Sequence, residues 1–456
     1  MASDMTAEQL LAAFIHNSKY SDLNDETIKT VKRQMVALCG ALIAGSATNA
    51  AEAVRFVSDM GGKPEATVFI EGGSIPAHQA AFANATMGRA LDIDDHIAPG
   101  AHIGSATIPA SFAAAEIVGG CTGKDFITAV ATGTEVSLRL NLEEDDYAGF
   151  DPTGVCAVYS CAAAASKLMS LDETQILNAL GLVSNKSGAT FQNNIDGVLA
   201  VPVMEGWVAQ SGVECARLAK YGITGPVNFL NGVYGYFHLF GRDKADTAYV
   251  TEALGKEWHV KNLNFKKYPS CGLTQGSTKL ILDMMAAHGF TADDVKRVEI
   301  LVPPFTYKLV GHPFKIGENA RVDAQFSVAY CVVNALMRAP VTLSQFELKQ
   351  ISDPKIESFI KEKVAVISTT SVERTHYSSD IYVWTNDGKE YHGQIDVPPG
   401  TPGDPMTDEE HRQRFYDCVK FSGKQWMVGR EESILDYIET LESKDDIRSM
   451  IPLFLP

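Results

Sequence analysis

The sequence lacks the short motifs that mark several large enzyme classes. No two cysteines have the C-x-x-C spacing, and neither an H-E-x-x-H zinc motif nor a phosphate-binding loop is present. The glycine pattern G-x-G-x-x-G is also absent, and no strand-rich segment interrupts roughly the first 260 residues. These absences argue against a zinc or redox centre, a nucleotide site and a Rossmann domain. We therefore expect no metal and no cofactor.

Positive charge and long apolar runs are also scarce. The chain has 39 lysines and arginines against 56 aspartates and glutamates, which gives a formal net charge of −17. This balance argues against binding to nucleic acid or to an anionic membrane surface. No uninterrupted apolar run reaches the roughly 18–20 residues of a membrane span, and the acidic N-terminus is unlike a signal peptide. Because the eight cysteines are scattered, mostly in apolar surroundings, we expect a reducing cytoplasm.

The length of 456 residues predicts two domains. A plausible capping box at residues 6–9 opens the first helix, and from Thr6 to about Val260 apolar residues recur at helical spacing. Val295–Val302 alternates like a strand, residues 321–337 are expected to be helical, and Asn386–Gly388 is a strong hairpin signal. A Pro/Gly-rich linker at 398–405 precedes a final helical stretch over 407–441. We predict a mainly α protein, in which a large discontinuous all-helical domain (1–265 and 400–456) carries a smaller inserted α+β domain (266–399).

Ionisable side chains cluster between two Ala-rich helical segments: Asp92, Asp94, Asp95, His96 and His102. Pro99 and Gly100 break the run, so the acidic cluster ends one buried helix and the second histidine lies on the turn into the next. Burying charges at the end of a helix costs free energy unless the charges are paired or take part in binding or catalysis. A capping and salt-bridge corner is the structural alternative. If Asp94 only caps or pairs, it should tolerate substitution by asparagine with little kinetic effect.

This stretch resembles the MmgE/PrpD family, whose members include 2-methylcitrate dehydratase, cis-aconitate decarboxylase and iminodisuccinate epimerase. The D-x-D-D motif at 92–95, His102 and Pro109-Ala110 match in order and spacing. Further similar segments lie at 149–154, 200–212, 266–275 and 324–330, so the resemblance covers nearly the whole chain. It implies the same division into a helical domain and an insert, and a homodimer made mainly by the helical domain.

The chain departs from the family pattern at three positions. Asp151 and Gln275 stand where the family has histidines, and Val201 stands where it has a lysine. A site without these cationic acids is poorly equipped to expel hydroxide or to protonate a decarboxylated carbanion. An epimerase removes a proton α to a carboxylate and returns a proton to the opposite face. This reaction needs only two acid–base groups and hydrogen-bond donors that stabilise the intermediate.

We therefore expect a cofactor-independent epimerase of an imino- or amino-linked dicarboxylate such as iminodisuccinate. The first alternative is a dehydratase or decarboxylase of a tricarboxylate, of the 2-methylcitrate or cis-aconitate type. The second alternative is a catalytically silent binding protein, because loss of family residues always permits that outcome.

The resemblance implies an active site between the two domains. Catalytic roles are expected for Asp92, His102, Tyr330 and Asp151, and substrate binding for His96, Asp95, Lys266, Lys267 and Gln275. In this scheme Asp92 or Asp95 orients His102. Each candidate also has a structural alternative, such as an N-cap for Asp151, a solvated face for the lysine pair and a core position for Tyr330.

Overall fold

The computed structural model describes residues 5–143, 146, 148–244 and 247–456. It is mainly α-helical, as predicted. The helices before residue 266 are α1 (Ala7–Asn17), α2 (Asp25–Gly45), α3 (Ala51–Met60), α4 (Ala77–Arg89), α5 (Gly104–Ile117), α6 (Gly123–Leu140), α7 (Val158–Leu168), α8 (Glu173–Val183), α9 (Gln192–Ile195), α10 (Ala200–Lys220) and α11 (Tyr236–Leu239).

The strands and the remaining helices lie mostly in the second half of the chain. Short strands are β1 (Ala66–Thr67), β2 (Ser74–Ile75), β3 (Asp95–His96) and β4 (Asn264–Phe265), and longer ones are β5 (Val295–Val302), β6 (Val364–Ser368), β7 (Ser379–Thr385) and β8 (Glu390–Ile395). The later helices are α12 (Gln275–His288), α13 (Pro304–Thr306), α14 (Ala320–Gln325), α15 (Val328–Arg338), α16 (Leu348–Ile351), α17 (Pro354–Lys363), α18 (Asp408–Ser422) and α19 (Glu431–Glu439).

These elements pack around two large apolar cores, and a smaller cluster consists of Ala41, Ala44, Leu91, Ile93, Leu343 and Cys418. One core draws its residues from Leu11 to Phe265 and again from Met406 to Phe454. The other draws its residues from Leu273 to Val383 and packs helices against the sheet β6-β5-β7-β8. In that sheet β5 and β6 are parallel, whereas β5–β7 and β7–β8 are antiparallel. The domain boundaries at 265/266 and 399/400 stay predictions.

Local sequence signals explain several element ends. Thr6 caps α1 in a capping box, and β5 occupies the predicted strand. The helix predicted for 321–337 is instead split into α14 and α15, because Ser327 leaves the helical conformation and caps the second of them. The helix predicted over 407–441 is likewise divided, since Gly423 ends α18 in a left-handed conformation.

A two-residue ladder brings the acidic stretch to the start of the second half of the chain. β3 pairs antiparallel with β4, so that Asp95 lies opposite Phe265 and His96 opposite Asn264. The next residue, Lys266, is thereby held beside the carboxylates that follow α4. Among the described residues, no helix is both long and apolar enough to cross a membrane.

Candidate active site

The histidines of the acidic stretch face a small cavity between the two cores. One wall comes from the helical part of the chain and includes Arg89, Asp92, His96, Pro99, Gly100, His102, Asp151, Phe191 and Asn194. The other comes from the second part and includes Cys271, Gly272, Leu273, Leu309, Phe326 and Tyr377. The free space is only about 30 Å³, close to the share of one water molecule in the liquid.

Two buried cations neutralise the first carboxylate of the motif. Arg89, the last residue of α4, forms an ion pair with Asp92. Lys266 Nζ lies 2.7 Å from Asp92 Oδ1, and the lysine side chain is only 1% exposed. Burial would raise the pKa of Asp92, but Lys266 and Arg89 outweigh that effect and hold it below its usual value. Asp92 has φ +53°, a backbone strain of the kind that clusters at functional sites.

His102 is paired with Asp94 and not with the expected Asp92 or Asp95. His102 Nδ1 lies 2.9 Å from Asp94 Oδ2, whereas its Nε2 is 3.8 Å from Asp92 Oδ1. Burial and the charge of Arg89 outweigh the effect of Asp94 and lower the pKa of the imidazole, which favours the neutral ring. Burial opposes ionisation of Asp94 too, but His102 and Arg89 lower its pKa. A carboxylate thus fixes the tautomer and orientation of a histidine that borders the cavity.

His96 borders the same cavity with both ring nitrogens unpartnered among the described residues. The backbone of Gly272 approaches this ring so closely that a Cβ at that position would overlap it. Burial, then the charge of Lys266, lowers the pKa of His96 well below its usual value. An unpartnered polar ring in a buried site is costly, so His96 is well suited to contact a polar ligand.

The two other aspartates act as caps. Asp95 Oδ2 accepts from the backbone N–H of Gly104 at 3.1 Å and from Gln34, so it caps α5 and does not line the cavity where substrate binding was expected. Asp151 Oδ1 accepts from the N–H of Thr153 at 2.9 Å, but Asp151 does line the cavity. Burial raises the pKa of each carboxyl to about 6.

Like Asp95, the expected site residue Lys266 is not part of the cavity lining, although it contacts Asp92. Three further expected site residues also lie outside the lining. Tyr330 is buried in the second core between Phe314 and Phe346, and its hydroxyl donates to a backbone carbonyl. Lys267 points outward and pairs with Glu410 at 2.6 Å. These placements match the structural alternatives for a tyrosine on an apolar helix and for an exposed lysine.

Gln275 is the third of these residues. Its side-chain amide bonds to backbone groups of Lys267, Tyr268 and Ser270 and thereby holds the turn before α12. Val201, at another substituted family position, does not line the cavity either. Of the three departures from the family pattern, only Asp151 therefore borders the cavity.

The sequence interpretation missed several residues of the site. Arg89 ends an Ala-rich helix and could have been noted as the cation nearest the motif. Glu205 lies within α10 and bonds to Ser105, which also bonds to Asp94. Tyr377 lines the cavity from a loop that carries no recognisable signal, and its hydroxyl accepts from Asn264 at 3.0 Å.

One group of residues has the spacing of a possible cation site. Asp92, Asp94 and His102 each offer an atom within 4.8 Å of the others. Arg89 and Lys266 contact Asp92 Oδ1, and Ser105 and His102 contact Asp94 Oδ2, whereas the second oxygen of each carboxylate has no hydrogen-bond partner among the described residues. Two buried positive charges beside these carboxylates oppose a further cation, so we do not assign these residues as metal ligands.

Larger clefts on the described surface have a different character. One cleft of about 740 Å³ includes Lys19, Lys167 and Asp125 in its lining, and another of about 910 Å³ is lined largely by aromatic and amide side chains near Tyr234. Neither contains a histidine bonded to a carboxylate in the described part of the chain. We therefore place the chemistry at the smaller, buried cavity, where perturbed acid–base groups converge.

The sequence is similar to decarboxylases along almost its full length. It is 24% identical over 475 residues to a cis-aconitate decarboxylase-like protein of Aspergillus oryzae, covering 99% of this chain and 97% of the relative. It is also 24% identical to the cis-aconitate decarboxylases of Mus musculus and Homo sapiens, covering 95% of this chain and 90% and 92% of those proteins.

These similarities contradict the expected epimerase and isomerase activity, because the curated relatives are lyases. The expectation gave too much weight to the lost cationic residues, since Gln275 and Val201 lie outside the cavity lining and Arg89 had not been counted. The model of the MmgE/PrpD N-terminal domain matches residues 9–248, and that of the C-terminal domain matches residues 268–438. The chain therefore belongs to the MmgE/PrpD family.

Proposed function

We propose that this chain is a lyase that removes CO2 from a small tricarboxylate of the cis-aconitate type. The observation that carries the proposal is the buried His102–Asp94 pair, which borders a cavity next to two buried cations. The decarboxylase relatives, matched over nearly their whole length, support the same reaction class. We also propose that the reaction needs no cofactor and depends only on the side chains described below.

Binding of a polyanion would use two imidazoles beside a balanced set of charges. The charges of Arg89 and Lys266 offset those of Asp92 and Asp94, and burial lowers the pKa of His96 and of His102, which favours their neutral forms. Substrate carboxylates would accept hydrogen bonds from His96 and from the hydroxyl of Tyr377, whose oxygen already accepts from Asn264. A bound polyanion raises the pKa of nearby imidazoles, so binding should be accompanied by proton uptake at His102.

The chemical step then needs one proton donor at carbon. The C–C bond to the departing carboxyl group breaks, CO2 leaves, and the electron pair stays on an allylic carbon conjugated with a remaining carboxylate. The imidazolium of His102 gives its proton to that carbon and is reprotonated from solvent, while Asp94 keeps the ring oriented. Asp151 is a second possible donor, because burial raises its pKa to about 6.

The cavity must open before a substrate can enter. Ligand pockets usually measure about 300–1,000 Å³, far above the 30 Å³ available here. The two walls come from separate large cores, so a small shift of one against the other would enlarge the cavity and would disturb the small apolar cluster in which Leu343 packs with Leu91 and Cys418. We propose that substrate binds to such an opened state and that closure excludes water.

The test is a substrate panel with purified protein, read by CO2 release and by NMR of the products. We expect CO2 from cis-aconitate, and loss of that activity in His102→Gln. Release of water without CO2 from 2-methylcitrate would instead identify a dehydratase. Ligand-induced stabilisation without any turnover across the panel would identify a binding protein, and either result would refute the proposed reaction.

We further propose a homodimer formed mainly by the helical part of the chain. Large apolar side chains between residues 195 and 239 are exposed, among them Trp207, Tyr221, Val233 and Tyr234, and exposed apolar groups of this kind mark interaction surfaces when they are contiguous. A monomer at all concentrations in light scattering would refute this proposal. The eight unpaired thiols support a proposed location in the reducing cytoplasm.

A further inference from the structure

A buried glutamate lies behind the histidine–aspartate pair. Glu205, within α10, is fully buried, and its Oε1 lies 2.9 Å from the hydroxyl oxygen of Ser105. Its Oε2 has no hydrogen-bond partner among the described residues. Several ionisable groups interact electrostatically with Glu205. They are Arg89 at the end of α4, Asp94 just before β3, Asp151 before α7, and the thiols of Cys156 and Cys161.

The hydrogen bonds around Ser105 fix where a proton must be. Its hydroxyl oxygen lies 2.7 Å from Asp94 Oδ2 and 2.9 Å from Glu205 Oε1. A hydroxyl has one hydrogen to donate, so only one of these two oxygen–oxygen contacts can be donated by the serine. The other requires a hydrogen on a carboxyl group. Asp94 already accepts from His102 and is close to Arg89, whereas none of the described residues brings a cation into hydrogen-bond contact with Glu205.

We propose that Glu205 is a protonated carboxylic acid that donates to Ser105, which in turn donates to Asp94 and so positions His102. Glu205 is a positioning residue, since it acts through two others and does not line the cavity. The proposal that Glu205 contributes to turnover rests on the proposed lyase function. The proposal that Glu205 is protonated does not depend on that function. Burial, then the charge of Asp94, raises the pKa of Glu205 well above its usual value, in agreement with the hydrogen count.

The arrangement connects the state of Glu205 to the basicity of His102. While Glu205 is protonated, the hydrogen of Ser105 points to Asp94 and partly neutralises the charge that stabilises the imidazolium. If Glu205 lost its proton, Ser105 would turn towards the new carboxylate, and Asp94 would hold the imidazolium more strongly. A neutral Glu205 therefore keeps the pKa of His102 low, which leaves the ring uncharged until an anionic substrate arrives.

The first test is an infrared difference spectrum at pH 7 between the wild-type protein and Glu205→Gln. We expect the variant to lose a protonated-carboxyl C=O band, because the carboxylic acid group is replaced by an amide. Loss of carboxylate bands would overturn the proposal. Glu214→Gln is the matched control on the same helix, since that side chain is partly exposed and bonded to Gln210, and it should lose carboxylate bands.

The second test follows the titration of His102 by NMR with labelled histidine. Glu205→Gln replaces one neutral donor with another, so the pKa of His102 should stay within about 0.3 units of its wild-type value; a lower pKa would show that an anion had been removed and would overturn the proposal. Ser105→Ala removes the donor to Asp94, so the pKa of His102 should rise. An unchanged pKa would overturn the proposed link between Glu205 and His102. Neither measurement needs turnover, so failure of the lyase proposal would leave both results interpretable.

Discussion

The pairing of His102 with Asp94 makes Asp94→Asn the most informative single change. The substitution keeps the shape of the side chain but removes the charge that stabilises the imidazolium across 2.9 Å. A hydrogen bond to a charged group contributes about 1.5–3 kcal/mol, and 1.4 kcal/mol corresponds to a factor of ten. We therefore expect kcat for CO2 release to fall about 10- to 100-fold. KM should not rise, because the change removes a negative charge from an anion site.

Asp95→Asn is the matched control, one residue away and with the same chemical change. Asp95 accepts a hydrogen bond from the first backbone N–H of α5, and the amide oxygen of asparagine can accept the same bond, so kcat should stay within about threefold of the wild-type value. Steady-state CO2 release at pH 7 would compare the two variants, with circular dichroism to confirm that both are folded. Wild-type kcat in Asp94→Asn, or equal losses in the two variants, would refute the assigned role of Asp94.

Three further outcomes follow from the site. His102→Gln should lower kcat by about 10² to 10⁴ with the fold intact; near-normal turnover would remove His102 from the mechanism. Lys266→Met should cost about 3–5 kcal/mol in urea unfolding because it breaks a buried pair, whereas Lys267→Met should cost under about 1 kcal/mol; equal costs would contradict their placements. Because burial raises the pKa of Asp151 to about 6, its ionisation in the unfolded chain lowers stability as pH rises from about 4 to 6. Asp151→Asn should then be more stable by about 3 kcal/mol at pH 8, with the advantage vanishing near pH 4; no advantage at pH 8 would contradict this.

The parts of the structure that local chemistry determines could be predicted from the sequence. Thr6 and Val295–Val302 form the expected cap and strand because side-chain capping and strand alternation are local effects. The clustering of His96 and His102 at one cavity also followed from their closeness to a helix break. The motif alone therefore predicts that these groups lie close together.

The roles within the cluster depend on tertiary contacts and could not be predicted in the same way. Three aspartates within four residues are equivalent in a sequence, and only the ladder between β3 and β4 determines that Asp92 faces Lys266 while Asp95 turns to α5. Tyr330 matches a family position, yet its ring packs against Phe346 in the second core and its hydroxyl donates to a backbone carbonyl. Distant elements also supply Glu205 and Tyr377, which no local pattern connects to the motif.

The most direct test of the lyase proposal is turnover of cis-aconitate in D2O. Carbon–carbon cleavage followed by protonation at carbon predicts one equivalent of CO2 per product molecule and one carbon-bound deuterium in that product. Both signals should disappear together in His102→Gln. Recovery of unchanged cis-aconitate without CO2, from wild-type protein shown to be folded, would contradict the account.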